Sequence, residues 1–560
     1  MDKARYQTAY LSMEIGLKDR VRSYAGGLGV LAGDILRSAA DLGYPIVGMT
    51  LISDKGYFDQ EIIDGRQVSF PESDYDFSGL RKLEERVLVK IGGSQVEICA
   101  WEHLIKGING VVPVYFLDTS LEINSPSDRI ITSFLYGGDT NYRLRQEIVL
   151  GIGGVKMLEK LGYRIRKYHL NEGHSSLAAA YLLSQEEMKE KRRAVERVKE
   201  KIVFTNHTPV KAGNDNFPLE EMSSELPDLA GVLSRFSDSA GRLDMTRLGM
   251  MLAGYISGVS RPHQKILRRL FPDFSIRRVN NGVDANYWAS DHFAALFDEY
   301  VPGWRGDSRR LKRAVRIPIE EIWRVHLLAK QELLARVKES AGVDMDEDVF
   351  TIGFARRFAP YKRSAMIISD MEKLLSISSR YPLQIIYSGK AHPDDVNGQE
   401  IIAEILDKAE KYRDKIKIVF LEDYDLSLSR LMAAGCDLWL NNPLPHLEAS
   451  GTSGMKAAIN GVPQLSTADG WWVDGCHPGK TGWSFGRAKV SSESGIDPLY
   501  LESIHQDAPE LYSRLEDEIL PLFFSRPRRW QKVMQKTIAI NGHNFNTQNT
   551  IRQYIKEAYS

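Results

Sequence analysis

Short apolar runs, several of them rich in β-branched residues, alternate with amphipathic stretches along the chain. The clearest runs are YPIVGMTLI (44–52), KIVFTNH (201–207), VFTIGFA (349–355), LQIIYSG (383–389) and KIKIVFL (415–421). Continuous apolar runs separated by helical patterns are typical of buried parallel strands in βαβ units. The pattern therefore predicts a doubly wound α/β domain in the second half of the chain.

The first half has similar strands and, in addition, a predicted hairpin. The stretch GYFDQEIIDGRQVSF (56–70) places an Asp-Gly pair between two alternating runs, which is a strong signal for a two-residue β-turn. Between the halves lies NNGVDANYW (280–288), followed by a long amphipathic pattern. We predict a first α/β domain over residues 1–283, a second over 284–534 and a terminal helix over 535–560.

Length and composition agree with two domains and narrow the class of protein. A chain of 560 residues is too long for one hydrophobic core. The balance of 73 basic and 74 acidic side chains argues against a nucleic acid or a membrane surface as partner. The pattern shows no membrane span or signal peptide, and the cysteines follow no disulfide or metal-ligand spacing, so we expect a cytoplasmic enzyme without a metal site.

A glycine-rich turn precedes an amphipathic helix near the start of the chain. In SYAGGLGVLAG (23–33), Gly26, Gly27 and Gly29 would let the backbone approach a ligand closely, and free N–H groups at a helix start favour an anion such as phosphate. The alternative is a purely structural turn, because the spacing matches neither a Walker loop nor GxGxxG.

A basic loop follows one of the predicted strands. FARRFAPYKRS (354–364) contains Arg356, Arg357, Lys362 and Arg363. Ligands of doubly wound sheets bind at the carboxyl ends of strands, and such a cluster there suits a phosphate group. The alternative is a solvated loop. Lys390 lies at a second strand end, and His174 and His207 lie at two others, where a histidine is more often structural than catalytic.

The stretch LEASGTSGMKAAING (447–461) carries the most specific signal. Glu448 precedes a run of small residues whose amides are free to bind hydroxyls or phosphate oxygens. Lys456 follows among apolar neighbours, where desolvation lowers a lysine pKa and favours the neutral amine that forms a Schiff base. The alternative is a flexible surface turn that ends in a lysine.

Taken together, these segments resemble the α-glucan (glycogen, starch and maltodextrin) phosphorylase family. The last stretch is similar to the family's cofactor motif, EASGTxxMK, in which the lysine holds pyridoxal phosphate; the matching residue is Lys456. The order also agrees: the glycine turn, HLNEGHSSLA, TNHT, NNGVDANYW, RRFAPYKR, GKAHP, FLEDYDLSL and the lysine motif. The resemblance implies two Rossmann-like doubly wound domains facing a central cleft (the GT-B architecture), with the terminal helix packed back on the first domain.

The resemblance also implies roles for individual residues. Arg357, Lys362 and Lys456 would be catalytic, with Arg357 and Lys362 binding the substrate and cofactor phosphates and Tyr361 beside them. The cofactor would further contact Gly26, Gly27, Thr452, Ser453 and Tyr424. The sugar would be bound by Glu448, the amides of Ala449, Ser450 and Gly451, Asn281 and the carbonyl of His207, the last two around its 6-hydroxyl.

The chain departs from the long enzymes of the family at several positions. Arg356 stands where a lysine is usual, Asp425 stands where they have an arginine, and Ser453-Gly454 replaces Gly-Asn in the lysine motif. The glycine turn begins so early that the regulatory N-terminal extension of the animal enzymes has no room. We therefore expect no nucleotide or phosphorylation control of that kind.

The implied function is that of an α-1,4-glucan phosphorylase. Inorganic phosphate would cleave the terminal glucose of a glucan or maltodextrin to give α-glucose 1-phosphate, and a homodimer is allowed. Glu448 would bind sugar and transfer no proton, unlike a glycosidase carboxylate. A nucleotide-sugar transferase of the same architecture, such as a glycogen synthase, is the alternative, but it needs no Schiff-base lysine. A non-catalytic glucan-binding protein would not need Arg357, Lys362 and Lys456.

Overall fold

The computed structural model describes residues 2–17, 21, 23–70, 77–186, 191–210, 213–486 and 496–560. Its strands are β1 (Thr8–Ser12), β2 (Ile46–Leu51), β3 (Asp59–Ile63), β4 (Arg66–Phe70), β5 (Arg81–Lys82), β6 (Val87–Ile91), β7 (Ser94–Lys106), β8 (Val111–Asp118), β9 (Lys167–Asn171), β10 (Ile202–Thr205), β11 (Asn216–Pro218), β12 (Arg242–Asp244), β13 (Tyr255–Gly258), β14 (Ile276–Arg278), β15 (Phe350–Ala355), β16 (Leu383–Ser388), β17 (Ile418–Leu421), β18 (Leu438–Asn441), β19 (Gln464–Thr467) and β20 (Gly482–Phe485).

The α-helices lie between these strands and after the last of them. They are α1 (Gly27–Leu42), α2 (Pro126–Arg129), α3 (Thr140–Ile148), α4 (Gly154–Lys160), α5 (Leu177–Ser184), α6 (Lys191–Lys201), α7 (Leu219–Glu225), α8 (Ala230–Leu233), α9 (Met245–Met251), α10 (Arg261–Leu270), α11 (Ala285–Trp288), α12 (Asp291–Tyr300), α13 (Ile319–Ala341), α14 (Met371–Arg380), α15 (Val396–Lys411), α16 (Leu426–Gly435), α17 (Ser453–Ile459), α18 (Trp472–Gly475), α19 (Ile496–Ser513), α20 (Leu520–Ser525), α21 (Pro527–Thr537) and α22 (Thr547–Tyr554). Among the helices described here, none combines the length and apolar character of a bilayer span.

Two large sheets organise the molecule, and the strands predicted from apolar runs all lie in them. The first sheet has ten strands in the order β14-β13-β10-β9-β1-β2-β8-β7-β5, with β6 paired to β7. The second has six parallel strands in the order β17-β16-β15-β18-β19-β20. In both sheets, strands are added first on one side of the first strand (β1 or β15) and then on its other side, which is the arrangement of a doubly wound sheet. The prediction of a mixed α/β protein with parallel sheets is confirmed.

The reversal of strand order determines where ligands can bind. In the first sheet β1 has β2 on one side and β9 on the other; in the second, β15 lies between β16 and β18. The connections from neighbouring strands leave in opposite directions at these points, so a crevice opens beyond the carboxyl ends. The loops after β1 and β9, and after β15 and β18, are therefore the places to look for a site.

The hairpin β3-β4 has the turn predicted from its sequence. Asp64 and Gly65 both have positive φ (50° and 71°), as a type I′ turn requires. Gln60 Nε2 donates to the Gly389 carbonyl (3.0 Å), and Gln67 Nε2 donates to the Ala391 carbonyl (2.8 Å). The hairpin thus reaches from the first half of the chain to a strand end of the second sheet.

The C-terminal segment crosses from the second sheet to the first. Val283 N–H donates to the Phe545 carbonyl (3.2 Å), and Thr547 N–H donates to the Val283 carbonyl (3.0 Å). A Cβ on Gly282 would lie 2.3 Å from the Asn546 backbone, so only glycine allows the two segments to pair this closely. Beyond the crossing, the Tyr559 hydroxyl lies 2.6 Å from His169 Nδ1 on β9.

Candidate active site

The strand ends identified above carry the polar residues of the site. Glu14 follows β1, Glu172 follows β9 and His207 follows β10, while Arg356 and Arg357 follow β15. The loop after β18 leads to the segment 446–451, here called the sugar loop after its expected role. Ser260 Oγ, from the first half of the chain, donates to the Ala449 carbonyl in that loop (2.5 Å). This hydrogen bond brings the loop after β13 of the first sheet into contact with the sugar loop of the second.

Lys456 lies on α17 and is 6% exposed. Its Nζ donates to Ser429 Oγ (3.2 Å), which also accepts from the Tyr424 hydroxyl (2.8 Å). Burial lowers the pKa of Lys456 to about 8. The burial of Lys456 agrees with the predicted poor hydration, and Tyr424 is linked to Lys456 through the Ser429 hydroxyl.

Trp288 provides a flat apolar surface next to this amine. Lys456 Nζ lies 3.7 Å from the centroid of the indole ring, and Trp288 is fully buried. The indole Nε1 donates to Asp34 Oδ2 on α1 (2.7 Å). The negative charge of Asp34 acts against burial by raising the pKa of Lys456, so helix α1 and the lysine are coupled through the tryptophan.

The basic loop and Glu448 form one charged cluster. Arg356 and Lys362 both pair with Glu448 Oε2, and Arg356 also donates to Asn441 Oδ1. Burial alone would raise the pKa of the Glu448 carboxyl, but the two cations outweigh burial and lower that pKa to about 2. Glu448 is therefore an anion throughout the neutral range.

Arg357 and Tyr361 lie next to this cluster. The Arg357 guanidinium is hydrogen-bonded to the Tyr361 side chain, and Lys362 Nζ lies 4.3 Å from the Tyr361 ring centroid. The positive charges lower the pKa of Tyr361 although burial raises it. Three cations of the predicted basic loop thus converge on one place.

The sugar loop is fixed through its backbone. Glu448 N–H donates to Asp469 Oδ2 (3.0 Å), and the Ser450 carbonyl accepts from Trp471 N–H (3.0 Å). Gly451 has a φ of 72°, which glycine adopts without strain. Thr452 is the N-cap of α17, and Ser453 Oγ accepts from Trp439 Nε1 (3.1 Å).

The first sheet contributes His207, Asn281 and the glycine turn. His207 Nε2 lies 2.8 Å from Asn171 Oδ1, and burial lowers the pKa of His207 to about 3, so the ring is neutral. Asn281 follows β14 and is 7% exposed, and its N–H donates to the Val259 carbonyl (3.1 Å). Gly26 is the N-cap of α1 and Gly27 its first residue; a Cβ on either would meet nothing within 4 Å.

Comparison with known proteins agrees with this geometry. A sequence model of the family described as carbohydrate phosphorylase matches residues 230–477. The maltodextrin phosphorylase of Thermococcus litoralis is 36% identical over 98% of this chain and 70% of its own length. The chain belongs to the carbohydrate phosphorylase family. The glycogen phosphorylases of Aquifex aeolicus (34% identical, covering 100% of this chain and 87% of the relative) and Mycobacterium tuberculosis (32%, 99% and 70%) are similar along the whole chain.

Family membership confirms the resemblance on which the sequence-based assignment rested. None of these relatives is named as a synthase, so a nucleotide-sugar transferase is not favoured.

In the chain ranges that the structure describes, no group of three or more histidine, cysteine, aspartate or glutamate side chains is arranged to hold a metal ion. His174 lies beside Arg143 and Asp215, and burial lowers its pKa to about 4.

Two residues singled out in the sequence lie apart from the charged cluster of this phosphorylase. Arg363 is fully buried and pairs with Asp507 (2.8 Å). Lys390 Nζ donates to the Phe58 carbonyl (2.9 Å) and pairs with Asp423 (2.5 Å), which ties the second sheet to the base of the hairpin. Arg363 and Lys390 therefore have structural roles, since each holds two distant segments of the chain together.

Several site residues of this family member were missed from the sequence. Glu14 Oε2 accepts from the amides of Ala25 (2.6 Å) and Gly26 (3.2 Å), so the Gly26 amide already has a protein acceptor. The signal for Glu14 was available, because it follows a buried strand at its carboxyl end. No local pattern indicates Asp34, Ser429 or Asp469, which come from distant segments.

The lowered pKa of Lys456 leads to a pH prediction. Only the neutral amine attacks an aldehyde, so the rate of reductive alkylation at Lys456 should rise with pH up to about 8 and level off above it. At pH 7 its neutral fraction should exceed that of an ordinary lysine by roughly 10²-fold. Peptide mapping by mass spectrometry across a pH series gives the profile.

Asp34→Asn provides the matched control for this profile. Because Asp34 raises the pKa of Lys456, its neutralisation should move the inflection to lower pH. A Lys456 profile that keeps rising up to pH 10, as expected for a fully hydrated lysine, would contradict the assignment.

Proposed function

We propose that the protein is an α-1,4-glucan phosphorylase. It carries out the reversible phosphorolysis of the terminal, non-reducing glucose of an α-glucan or maltodextrin, with retention, to give α-D-glucose 1-phosphate. The observation that carries the proposal is the buried amine of Lys456, with its lowered pKa, in a family member whose Arg356, Arg357 and Lys362 gather beside Glu448.

The residues present fit pyridoxal phosphate as the cofactor. Lys456 offers a neutral amine for its aldehyde, and the Trp288 indole, 3.7 Å from that amine, offers a flat face for its ring. Gly26 and Gly27 leave open space at the start of α1, and Lys362, Thr452 and Ser453 supply a cation and backbone amides for its phosphate. When bound, pyridoxal phosphate supplies a phosphate monoester with a second pKa of about 6, suited to exchanging a proton with the substrate phosphate.

The protein's part in the reaction is to hold charge in place. Arg357 would bind the substrate phosphate as a fork of N–H donors, and Lys362 would offset the repulsion between the two phosphates. The substrate phosphate protonates the glycosidic oxygen, the bond from that oxygen to C1 breaks, and a phosphate oxygen bonds C1 on the same face. Glu448, ionised at neutral pH, would bind sugar hydroxyls together with the amides of residues 449–451, while Asn281 and the His207 carbonyl would hold the 6-hydroxyl.

The experiment is a phosphorolysis assay. Maltoheptaose and inorganic phosphate are incubated with the cofactor-loaded protein, and the product is identified by ³¹P NMR. The α anomer of glucose 1-phosphate is expected, and the same protein should extend maltodextrin when supplied with glucose 1-phosphate. Transfer from UDP-glucose or ADP-glucose without phosphorolysis would overturn the proposal.

Arg357→Ala should weaken the use of phosphate. Loss of a bidentate, charge-assisted contact to a transferring phosphate group should lower kcat/KM for phosphate by on the order of 10²-fold. Arg357→Lys keeps the charge but loses the fork, so an intermediate value is expected. Arg336→Ala, at an exposed position on α13, is the control; initial rates at varied phosphate give the comparison. Equal kcat/KM in all four proteins would contradict the role of Arg357.

The remaining assignments belong to the same proposal. The two doubly wound sheets support a GT-B architecture, with a first domain over 1–283, a second over 284–534 and a terminal segment over 535–560 that packs on the first. The contact of Tyr559 with His169 supports that last placement. A cytoplasmic location and a homodimer complete the proposal.

A further inference from the structure

Glu172 is a buried carboxylate held in an unusual backbone conformation. It is 5% exposed and has a φ of 80°, a region that non-glycine residues rarely adopt. Strained backbone of this kind persists where the surrounding structure requires it. Burial raises the pKa of Glu172 to about 7, so the site retains the group in spite of the penalty for burying its charge.

The Glu172 carboxylate accepts four hydrogen bonds, three of them from residues 206–208 and one from the neighbouring Gly173. Oε2 accepts from His207 N–H (2.7 Å) and the Thr208 hydroxyl (3.1 Å). Oε1 accepts from Asn206 Nδ2 (3.0 Å) and Gly173 N–H (3.2 Å). A carboxylate is the only side chain of this shape that accepts at both oxygens. In a Glu172→Gln variant, the side-chain NH₂ group would face two hydrogen-bond donors. The repulsion between these donors would displace residues 206–208.

Asp469 has the corresponding position on the second sheet. It is 3% exposed, and burial raises its pKa to about 7. Oδ2 accepts from Glu448 N–H (3.0 Å) and Oδ1 accepts from Gly470 N–H (2.8 Å), with a further backbone hydrogen bond to His446. His446 also has a positive φ, 74°, so the sugar loop is bent where Asp469 holds it.

We infer that Glu172 and Asp469 are the positioning residues of the sugar site, one from each sheet. Glu172 holds the His207 backbone, whose carbonyl is assigned to the 6-hydroxyl, and Asp469 holds the backbone of Glu448. The inference rests on the proposed function. Neither carboxylate touches the sugar; each sets the place of a neighbour that does.

The test compares two sugar phosphates in the direction of glucan synthesis. With glucose 1-phosphate, Glu172→Gln should raise KM more than it lowers kcat, and kcat/KM should fall by on the order of 10²-fold, as for a displacement of about 1 Å. With 6-deoxyglucose 1-phosphate the same variant should show a much smaller loss, because the contact it disturbs is already absent. Asp469→Asn should show similar losses with both sugars.

Two milder variants keep the inference testable if Glu172→Gln or Asp469→Asn does not fold. Thr208→Val removes one donor to Glu172, and Asp469→Glu keeps the charge but moves the oxygens. Each of these milder variants should raise KM by less than Glu172→Gln or Asp469→Asn does. Asp437→Asn is the control: Asp437 is equally buried but precedes β18, at its amino end, and pairs with Lys330 (2.7 Å). It should lower the melting temperature without changing the ratio of kcat/KM between the sugars.

The outcomes distinguish failure of the proposed function from failure of the inference alone. If the unmodified protein does not use glucose 1-phosphate, the proposed function fails and the inference fails with it. If the unmodified protein is active but Glu172→Gln loses the same factor with both sugars, or KM is unchanged in the Glu172 and Asp469 variants, the inference alone is overturned.

Discussion

Lys456→Ala is expected to abolish both covalent attachment of pyridoxal phosphate and phosphorolysis. The variant removes the buried amine that lies against Trp288 and hydrogen-bonds Ser429. Under the proposed function the cofactor would then have no anchor, and the substrate phosphate would have no partner phosphate. We expect activity to fall by at least about 10³-fold, the upper range for loss of one preorganised electrostatic element. Borohydride reduction followed by peptide mapping measures attachment, and release of glucose 1-phosphate measures turnover.

Lys456→Arg separates the amine from the charge. Arginine keeps a cation beside Asp34 and Trp288 but offers no nucleophilic amine at neutral pH, so this variant should also lack the adduct. Lys338→Ala, on the exposed face of α13, should behave like the unmodified protein. A stable adduct at other lysines that survives in Lys456→Ala, together with retained turnover, would exclude Lys456 as the cofactor lysine.

Glu448→Gln is expected to lower kcat/KM by on the order of 10²-fold while leaving the shape of the pH profile unchanged. The neutral glutamine cannot compensate the positive charges of Arg356 and Lys362, and it binds sugar hydroxyls more weakly than a carboxylate does. Because the pKa of Glu448 is lowered to about 2, the group stays deprotonated at neutral pH and donates no proton. Its replacement therefore removes binding and leaves the titrating groups of the reaction in place.

The measurement is kcat/KM for maltodextrin as a function of pH. Asn441→Ala is a useful companion, because it removes a neutral partner of Arg356 and should cause a smaller loss with the same profile. Disappearance of one limb of the profile in Glu448→Gln would show that Glu448 takes part in proton transfer, and it would return the site to a glycosidase-like mechanism.

Much of the fold could be predicted because its signals are local. The apolar runs of β2, β10, β15, β16 and β17 are continuous, as buried parallel strands require, and the Asp64-Gly65 pair specifies its own turn. The lysine motif is equally compact, so the desolvation of Lys456 followed from its immediate neighbours.

The rest of the site depends on partners far apart in the chain. Arg363 and Arg357 belong to the same basic loop, yet Arg363 is directed to Asp507 because the backbone at Arg363 is left-handed (φ 51°). Asp34 meets Trp288 across about half the chain, and no pattern around Asp469 indicates its contact with Glu448. Charges brought together by folding decide the pKa of Glu448, which sequence spacing could not reveal.

The pairing of the two crossing segments has a mechanical consequence. Chain passes between the sheets near Val283 and again near Phe545, and these passages are hydrogen-bonded to each other with Gly282 against Asn546. In the proposed two-domain architecture, opening of the cleft would bend both passages at one place, so they would act as a single hinge and oppose sliding of one sheet past the other. Admission of a glucan end and release of glucose 1-phosphate would then be rotations about an axis through these residues.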